Sequence, residues 1–325
     1  LLTFTIDGER AKDFDDAGSL EHIEGGYRLG VHIADVSHFV QENSPLDQEA
    51  LERGTSIYYS DGVIPMLPES LSNEACSLKP NEPRLTLSAI MDFDHEANFI
   101  SGTLHPSVIK SQRRFTYTEV HRMLEEEEDD PLMPTLTDMH RLSQLLRQKR
   151  FKNGSVDFQV PEPEIHIDSA GHVERIGIAE HNSAHELIEE FMLAANQFVA
   201  LNLHERGIPS IHRIHEAPDP ERLRGFNEYI DSFGLKIPSP VRSTDLQALL
   251  EKINDRPEER VVNTLLLRTM KKARYSETDP GHFCLGFPHY AHFTSPIRRY
   301  PDLMVHRIIK KYLKRKCPQK DKKGL

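Results

Sequence analysis

The sequence is poor in cysteine, in long apolar runs and in positive charge. Its three cysteines, Cys76, Cys284 and Cys317, are too few and too scattered for a disulfide framework and lack the spacing of a CxxC metal knuckle, which points to a reducing, cytoplasmic setting. No apolar stretch approaches the roughly 18 residues that a spanning helix needs, so no membrane segment is expected. The start, Leu1-Leu2-Thr3-Phe4-Thr5-Ile6, has no initiating methionine and no basic region followed by an apolar one. That excludes a signal peptide and leads us to expect a piece of a longer protein. With 40 Lys+Arg against 51 Asp+Glu, the net charge of -11 has the wrong sign for binding nucleic acid by bulk attraction.

What is present is a chain of 325 residues, 38% hydrophobic and 28% charged, ample for a large core and too apolar for disorder. Charge is uneven along it. Six acidic residues, Glu125 to Asp130, predict a solvated loop, whereas Arg307 to Lys323 holds nine basic residues and one acidic one, Asp321. An RNA partner would therefore have to be gripped by a local channel or by flanking modules.

Alternation predicts strands at Thr3 to Ile6, Tyr27 to Ala34, Leu85 to Phe93 and Asn98 to Lys110, so the N-terminal third is mostly β. The period then becomes helical. Helices are expected over Thr135 to Phe151, closed by Asn153-Gly154, and from the capping-box spacing Ser183-Ala184-His185-Glu186 to Gly207, with a short β return over Ser155 to Ile178 between them. Further helices are expected near Pro220 to Phe233, Thr244 to Ile253, Glu258 to Lys271 and Ile297 to Lys316. Prolines are dispersed, and neither a repeat nor a Gly/Ser-rich linker is visible, which favours one intimate α+β unit over residues 1–325.

The densest chemistry is Thr5-Ile6-Asp7-Gly8-Glu9-Arg10-Ala11-Lys12-Asp13-Phe14-Asp15-Asp16, four aspartates within ten positions after a strand. Converging in a partly dry pocket they would repel one another, and a divalent cation removes that cost. Mg²⁺ suits such a site, since it takes carboxylate and water oxygens together with a substrate phosphate. An exposed acidic turn is the plainer alternative. A calcium loop counted from Asp13 places Asp15, Gly18 and Glu24 correctly, but Ala17 supplies no side-chain oxygen and the flanks read as strands rather than helices.

The second constellation is His292-Phe293-Thr294-Ser295-Pro296-Ile297-Arg298-Arg299-Tyr300-Pro301-Asp302, where Ser-Pro is good helix-start chemistry and the guanidiniums suit bidentate contact with phosphate. Alone it reads as a capped helix with surface arginines. Together with the aspartates it suggests phosphodiester chemistry.

These two stretches resemble the catalytic RNB domain of the ribonuclease II and ribonuclease R family, shared with the catalytic subunit of the eukaryotic exosome. Intermediate landmarks resemble it too, in order: Thr55-Ser56-Ile57-Tyr58-Tyr59, Ile64-Pro65-Met66-Leu67-Pro68 and Leu71-Ser72-Asn73-Glu74-Ala75-Cys76-Ser77-Leu78. The resemblance covers nearly the whole chain, and its wording is nearer to the ribonuclease R branch.

The resemblance implies an α+β fold, a mixed, largely antiparallel sheet packed with helices around a narrow RNA channel. It implies processive, hydrolytic 3′-to-5′ degradation of single-stranded RNA to nucleoside 5′-monophosphates with Mg²⁺, or Mn²⁺, as cofactor. Asp7, Asp13 and Asp16 would then bind metal, Asp15 would be the carboxylate most directly tied to cleavage, and Arg298 would clamp the phosphate. Tyr58 would stack on the 3′-terminal base with Phe158 as partner, although core packing is the alternative for Phe158. Arg299 is either an assistant or a solvent-facing charge. Glu189 would approach the substrate end, with the adjacent Glu190 leaving the placement open by one residue. A monomer is expected, as are cold-shock-type barrels before this domain and an S1-type barrel after it, neither of which lies within these residues.

Eighteen histidines make zinc worth weighing: His181 and His185 are four apart and His212 and His215 three apart, but no HExxH occurs and surface or hydrogen-bonded roles are preferred. His292 and His306 flank the arginine motif as either RNA contacts or packing. Two other classes compete with the nuclease. A silent RNA-binding relative should have lost one of the four aspartates, and none is lost. A hydrolase of small phosphoesters would need no aromatic clamp.

Overall fold

The computed structural model describes residues 1–59, 62–126, 129–156, 158, 163–168 and 171–316. Cys317 and the basic stretch beyond Lys316 lie outside the described residues, as do Glu127 and Glu128 of the acidic loop and parts of the expected β return. In chain order the elements are β1 (Thr5–Asp7), β2 (Asp16–Ile23), β3 (Gly26–Ala34), α1 (Val36–Phe39), α2 (Pro45–Arg53), β4 (Ile57–Tyr59), β5 (Gly62–Ile64), β6 (Pro83–Asp94), β7 (Phe99–Lys110) and β8 (Arg114–Thr116). There follow α3 (Tyr117–Glu126), α4 (Met133–Lys152), β9 (Pro163–Ile167), β10 (Val173–Ile178), α5 (Ser183–Glu205), β11 (His212–Ile214), α6 (Pro220–Asp231), α7 (Ser243–Ile253), α8 (Glu259–Thr269), β12 (Arg274–Ser276) and α9 (Tyr300–Lys316). The α+β class expected from the sequence is the class observed.

Two compact units divide the chain. The first holds Leu1–Ser143, Asn182–Ile211 and the residues from Ala291 onward; the second holds Gln144–His181 and His212–Tyr290. The sequence showed no linker because neither unit is a contiguous stretch: the chain passes out of the first unit and back into it twice.

In the first unit, β2, β3, β6 and β7 form an antiparallel sheet in that order. β3 is central and covered on both faces, so Leu29, Val31 and Ile33 are fully buried, each worth ~1.5–3 kcal/mol of transfer free energy. Helix α5 packs against β3 and β6 with Leu187, Phe191 and Ala195 buried. Its Phe198 ring lies so close to Gly102 of β7 that an added Cβ would meet Cε2 at 2.6 Å, which explains a glycine inside that strand. β1 runs parallel to β8, and an antiparallel bridge from Phe4 to Gly18 ties it to β2, with N···O distances of 3.2 and 2.9 Å. That bridge sets the end of one strand, Asp7, against the start of another, Asp16. β4 and β5 form a short hairpin.

In the second unit, α6, α7 and α8 enclose Leu223, Phe226, Ile230, Leu246, Leu249 and Leu266, while β9–β10 and β11–β12 are antiparallel pairs. No helix among the described residues is long and apolar enough to cross a membrane.

Two helix starts differ from expectation. The cap of α5 is Asn182 rather than Ser183: its Oδ1 accepts from the Ala184 and His185 amides at 3.2 and 3.4 Å, and His185 Nδ1 takes the Asn182 amide at 3.3 Å. The last helix begins at Tyr300 rather than Ile297. Residues 296–298 form a turn because their polar groups are claimed elsewhere, the Ile297 amide by Asp15 and the Arg298 carbonyl by the Ser56 amide at 2.9 Å and the Thr55 hydroxyl at 2.9 Å.

Candidate active site

The loop of residues 8–15 joins β1 to β2 and carries the carboxylates between two strand ends. Ser77 pins it by accepting the Phe14 amide at 3.0 Å and donating to the Lys12 carbonyl at 2.7 Å, and Arg114 binds the Gly8 carbonyl at 2.6 Å. The strands flanking this loop exclude the calcium-loop alternative, since β2 begins at Asp16, within the span that an EF-hand would use.

Asp15 is buried, 4% exposed. Its Oδ1 accepts the Ile297 amide at 2.8 Å and its Oδ2 lies 3.7 Å from Arg298 Nε. Asp15 and Arg298 therefore meet, as do the two motifs that carry them. Arg298 is steadied by its Nη2 on Ser295 Oγ at 3.1 Å, and the turn beneath it by Asp302, which takes the Ser295 amide at 2.8 Å. Arg299 binds Asp302 at 2.7 and 3.0 Å, so its guanidinium ties the turn to α9 while its charge still acts on Asp16. The Tyr58 hydroxyl donates to Asp13 Oδ2 at 2.6 Å. Both Tyr58 and Tyr59 are about half exposed on the β4–β5 hairpin, so neither face of that strand is buried as alternation would suggest.

The electrostatics are those of an under-neutralised carboxylate set. Burial, then the charge of Asp16, pushes the Asp7 carboxyl up to about 8. Burial raises Asp16 to about 6 against the pull of Arg298 and Arg299, and raises Asp15 well above its ordinary value against Arg298 and the Ile297 amide. Asp7 Oδ2 and Asp15 Oδ2 are buried and accept no hydrogen bond from any described residue. Hard anionic oxygens that lack donors and repel one another fit a divalent cation.

Other expected residues are placed as follows. Glu189 is exposed on α5, Glu190 is buried, and the charge of Glu189 acts on the Tyr117 phenol. Phe158 is half-buried in the second unit, against the core of α6 to α8. His306 is fully buried, stacked on Phe293 at 4.6 Å and bonded to its carbonyl at 2.8 Å, which makes it a packing residue. His212 faces Asp279 at 3.4 Å, whereas His215 engages the Lys271 carbonyl and the Cys284 amide, so that pair does not converge as zinc ligation would need.

Tyr117 escaped the sequence reading. It opens α3 directly after β8, stacks on His185 at 3.9 Å, and has its phenol raised first by burial and then by Asp16, Asp7 and Glu189. Only the parallel pairing of β8 with β1 brings it there, and that pairing leaves no local signature. Arg114 was missed for the same reason.

The buried Asp15 and the partly buried Asp7, Asp13 and Asp16 beside a guanidinium, with an exposed aromatic bonded to one of the acids, are the groups that a divalent cation and a phosphate would need. The RNB domain family matches residues 1–315. Ribonuclease R 1 of Lactococcus lactis is 45% identical over 326 residues, 98% of this chain and 40% of that protein, and Ribonuclease R of Thermotoga maritima is 46% identical over 317 residues, 95% of this chain and 45% of that protein. The apo form of Mycoplasma genitalium RNase R matches with a TM-score of 0.93 at 35% identity, over 96% of this chain and 50% of that one. The same enzyme in complex with double-stranded RNA gives 0.94 at 34% identity, over 98% and 58%. This chain belongs to the RNB domain family, and it spans roughly half, or less, of the length of these relatives.

Proposed function

We propose that this chain is the catalytic domain of a 3′-to-5′ exoribonuclease that hydrolyses single-stranded RNA processively to nucleoside 5′-monophosphates. The observation that carries the reading is the junction of Asp15 with the Ile297–Arg298 turn, which sets a guanidinium beside a buried carboxylate. The relatives named Ribonuclease R, and the RNA-bound structure of Mycoplasma genitalium RNase R, support it.

Asp7, Asp13 and Asp16 would hold Mg²⁺, or Mn²⁺ in its place; when bound, such an ion neutralises phosphate charge and lowers the pKa of water. Asp15, fixed through Oδ1, presents Oδ2 to the attacking water. Arg298 directs its remaining N–H groups to the phosphoryl oxygens and stabilises the charge that develops on them. Tyr58, its ring face open, stacks on the terminal base, since stacking holds any base without reading sequence, and Phe158 of the second unit is a separate aromatic contact to RNA. Glu189 meets the substrate end, and Arg299 adds positive charge near Asp16. Oligonucleotide-binding domains outside these residues would extend the RNA path, the protein acting as a monomer. Cys76 and Cys284 are free thiols, in keeping with a reducing, cytoplasmic setting.

The test is incubation with 5′-labelled single-stranded RNA and Mg²⁺, with and without EDTA. Mononucleotide release that EDTA abolishes and a 3′ block prevents is the expected result. Internal cleavage, or indifference to the block, contradicts it.

A further inference from the structure

The β4–β5 hairpin that carries Tyr58 has little packing to hold it in place. Ile57, Tyr58, Tyr59, Val63 and Ile64 are all exposed, and an isolated pair of three-residue strands is marginal in water. Hydrogen bonds must therefore set where the ring of Tyr58 sits. Some of them only join the hairpin to itself: Ser56 Oγ accepts the Met66 amide at 2.8 Å, and Arg53 Nη1 donates to the Pro65 carbonyl at 2.9 Å. The bonds that reach the candidate site from the foot of the hairpin come from Gly54, Thr55 and Ser56.

These three residues run antiparallel to Arg298-Arg299-Tyr300, with a bridge between Thr55 and Arg299. The Tyr300 amide donates to the Gly54 carbonyl at 3.0 Å. The Arg298 carbonyl accepts twice, from the Ser56 amide at 2.9 Å and from the Thr55 hydroxyl at 2.9 Å. The backbone of Arg298 is thus gripped by the segment that leads, three residues on, to Tyr58. At the other end of that segment the Tyr58 hydroxyl reaches Asp13 at 2.6 Å, and Asp15 returns to the Ile297 amide at 2.8 Å. Residues 13–15, 55–58 and 297–298 therefore close a ring of short hydrogen bonds within the first unit. Thr55 is the joint of that ring whose side chain has no assigned contact with metal or RNA, and it lies exposed.

We propose that Thr55 is a positioning residue: by holding the Arg298 carbonyl it fixes the spacing between the stacked terminal base and the clamped phosphate, and with it the one-nucleotide register of cleavage. The inference rests on the hydrolytic reading and deepens it. Its physical basis is that a reacting group displaced by ~1 Å can lose ~100-fold in rate. Loss of the Thr55 hydroxyl leaves the Ser56 amide on the same carbonyl, so the expected effect is that of one neutral hydrogen bond, about threefold to tenfold.

The test is steady-state cleavage of single-stranded RNA in Mg²⁺ by the whole chain, with RNA binding measured separately in EDTA. Thr55→Val, which keeps the shape and removes the hydroxyl, should lower kcat about threefold to tenfold and add dinucleotides to the products, while affinity in EDTA stays within about twofold. Thr55→Ser should restore both rate and product. In a Tyr58→Ala background, Thr55→Val should cost less than about twofold more, because the spacing it sets no longer has a stacked base at one end. Should Thr55→Val lower the urea midpoint, Thr55→Ala is read in the same way. A kcat unchanged by Thr55→Val, a loss that Thr55→Ser does not repair, or losses that multiply with Tyr58→Ala would overturn the proposal and leave the hydrolytic reading standing. Wild-type protein that releases no mononucleotide would overturn both.

Discussion

The Tyr58 hydroxyl donates to Asp13 Oδ2 at 2.6 Å, so the exposed aromatic of the β4–β5 hairpin and one acid of the candidate metal set are held as a unit. The bond fixes the ring while leaving its face open. Tyr58→Ala removes the stacking surface, worth ~1–3 kcal/mol per base, and should weaken RNA binding by about 5- to 150-fold. Tyr58→Phe keeps that surface and should stay within about threefold of wild type. Filter binding in EDTA checks this; equal losses for the two variants would show that the hydroxyl, not the ring, carries the contact.

Asp302 should matter more for stability than its position outside the carboxylate set suggests. It is fully buried, accepts the Ser295 amide and binds Arg299 twice. Asp302→Ala strands both partners, and breaking a buried pair costs ~3–5 kcal/mol. Urea denaturation should show a loss in that range, with cleavage falling as the turn under Arg298 loosens. A change below about 0.5 kcal/mol, the scale of ordinary surface substitutions, would contradict the assignment.

His306 contributes a pH dependence of its own, opposite in sign to that of the raised carboxyls of Asp7 and Asp16. Burial lowers its pKa to about 4, so the folded chain keeps the imidazole neutral while the unfolded chain protonates it below about 6.5. The unfolded state thus binds the extra proton, and the contribution of this residue to stability is lost as pH falls from about 6.5 towards 4, by at most ~1.4 kcal/mol per pH unit. Glutamine offers a donor for the Phe293 carbonyl but does not titrate. The difference in unfolding free energy between wild type and His306→Gln should therefore shrink over that window. Parallel profiles would refute it.

Most of this architecture was legible because it rests on periodicity. The boundaries of β3, β6, β7, α4, α6 and α7 fall within about two residues of those expected; α4, α6 and α7 bury apolar residues at helical spacing, and Leu29, Val31 and Ile33 share one face of β3. β2 was not legible: Asp-Ala-Gly-Ser-Leu-Glu-His-Ile buries four consecutive residues and exposes the next two, so it has no period of two. The start of α9 was misplaced because Ser-Pro is local cap chemistry, whereas the competing partners Asp15 and Thr55 are distant in sequence. In the candidate site, the aspartates and Arg298 stood out as dense clusters of one chemistry. Tyr117 and Arg114 did not, since the pairing of β8 with β1 alone brings them to the carboxylates.

The most direct test of the carboxylate–guanidinium site is Asp15→Asn, read for cleavage and for RNA binding in the same preparation. The substitution changes the charge of one buried group and keeps its shape, so mononucleotide release should fall by a factor on the order of 10²–10³ or more while RNA remains bound. Undiminished release by a homogeneous, folded Asp15→Asn protein would contradict the account.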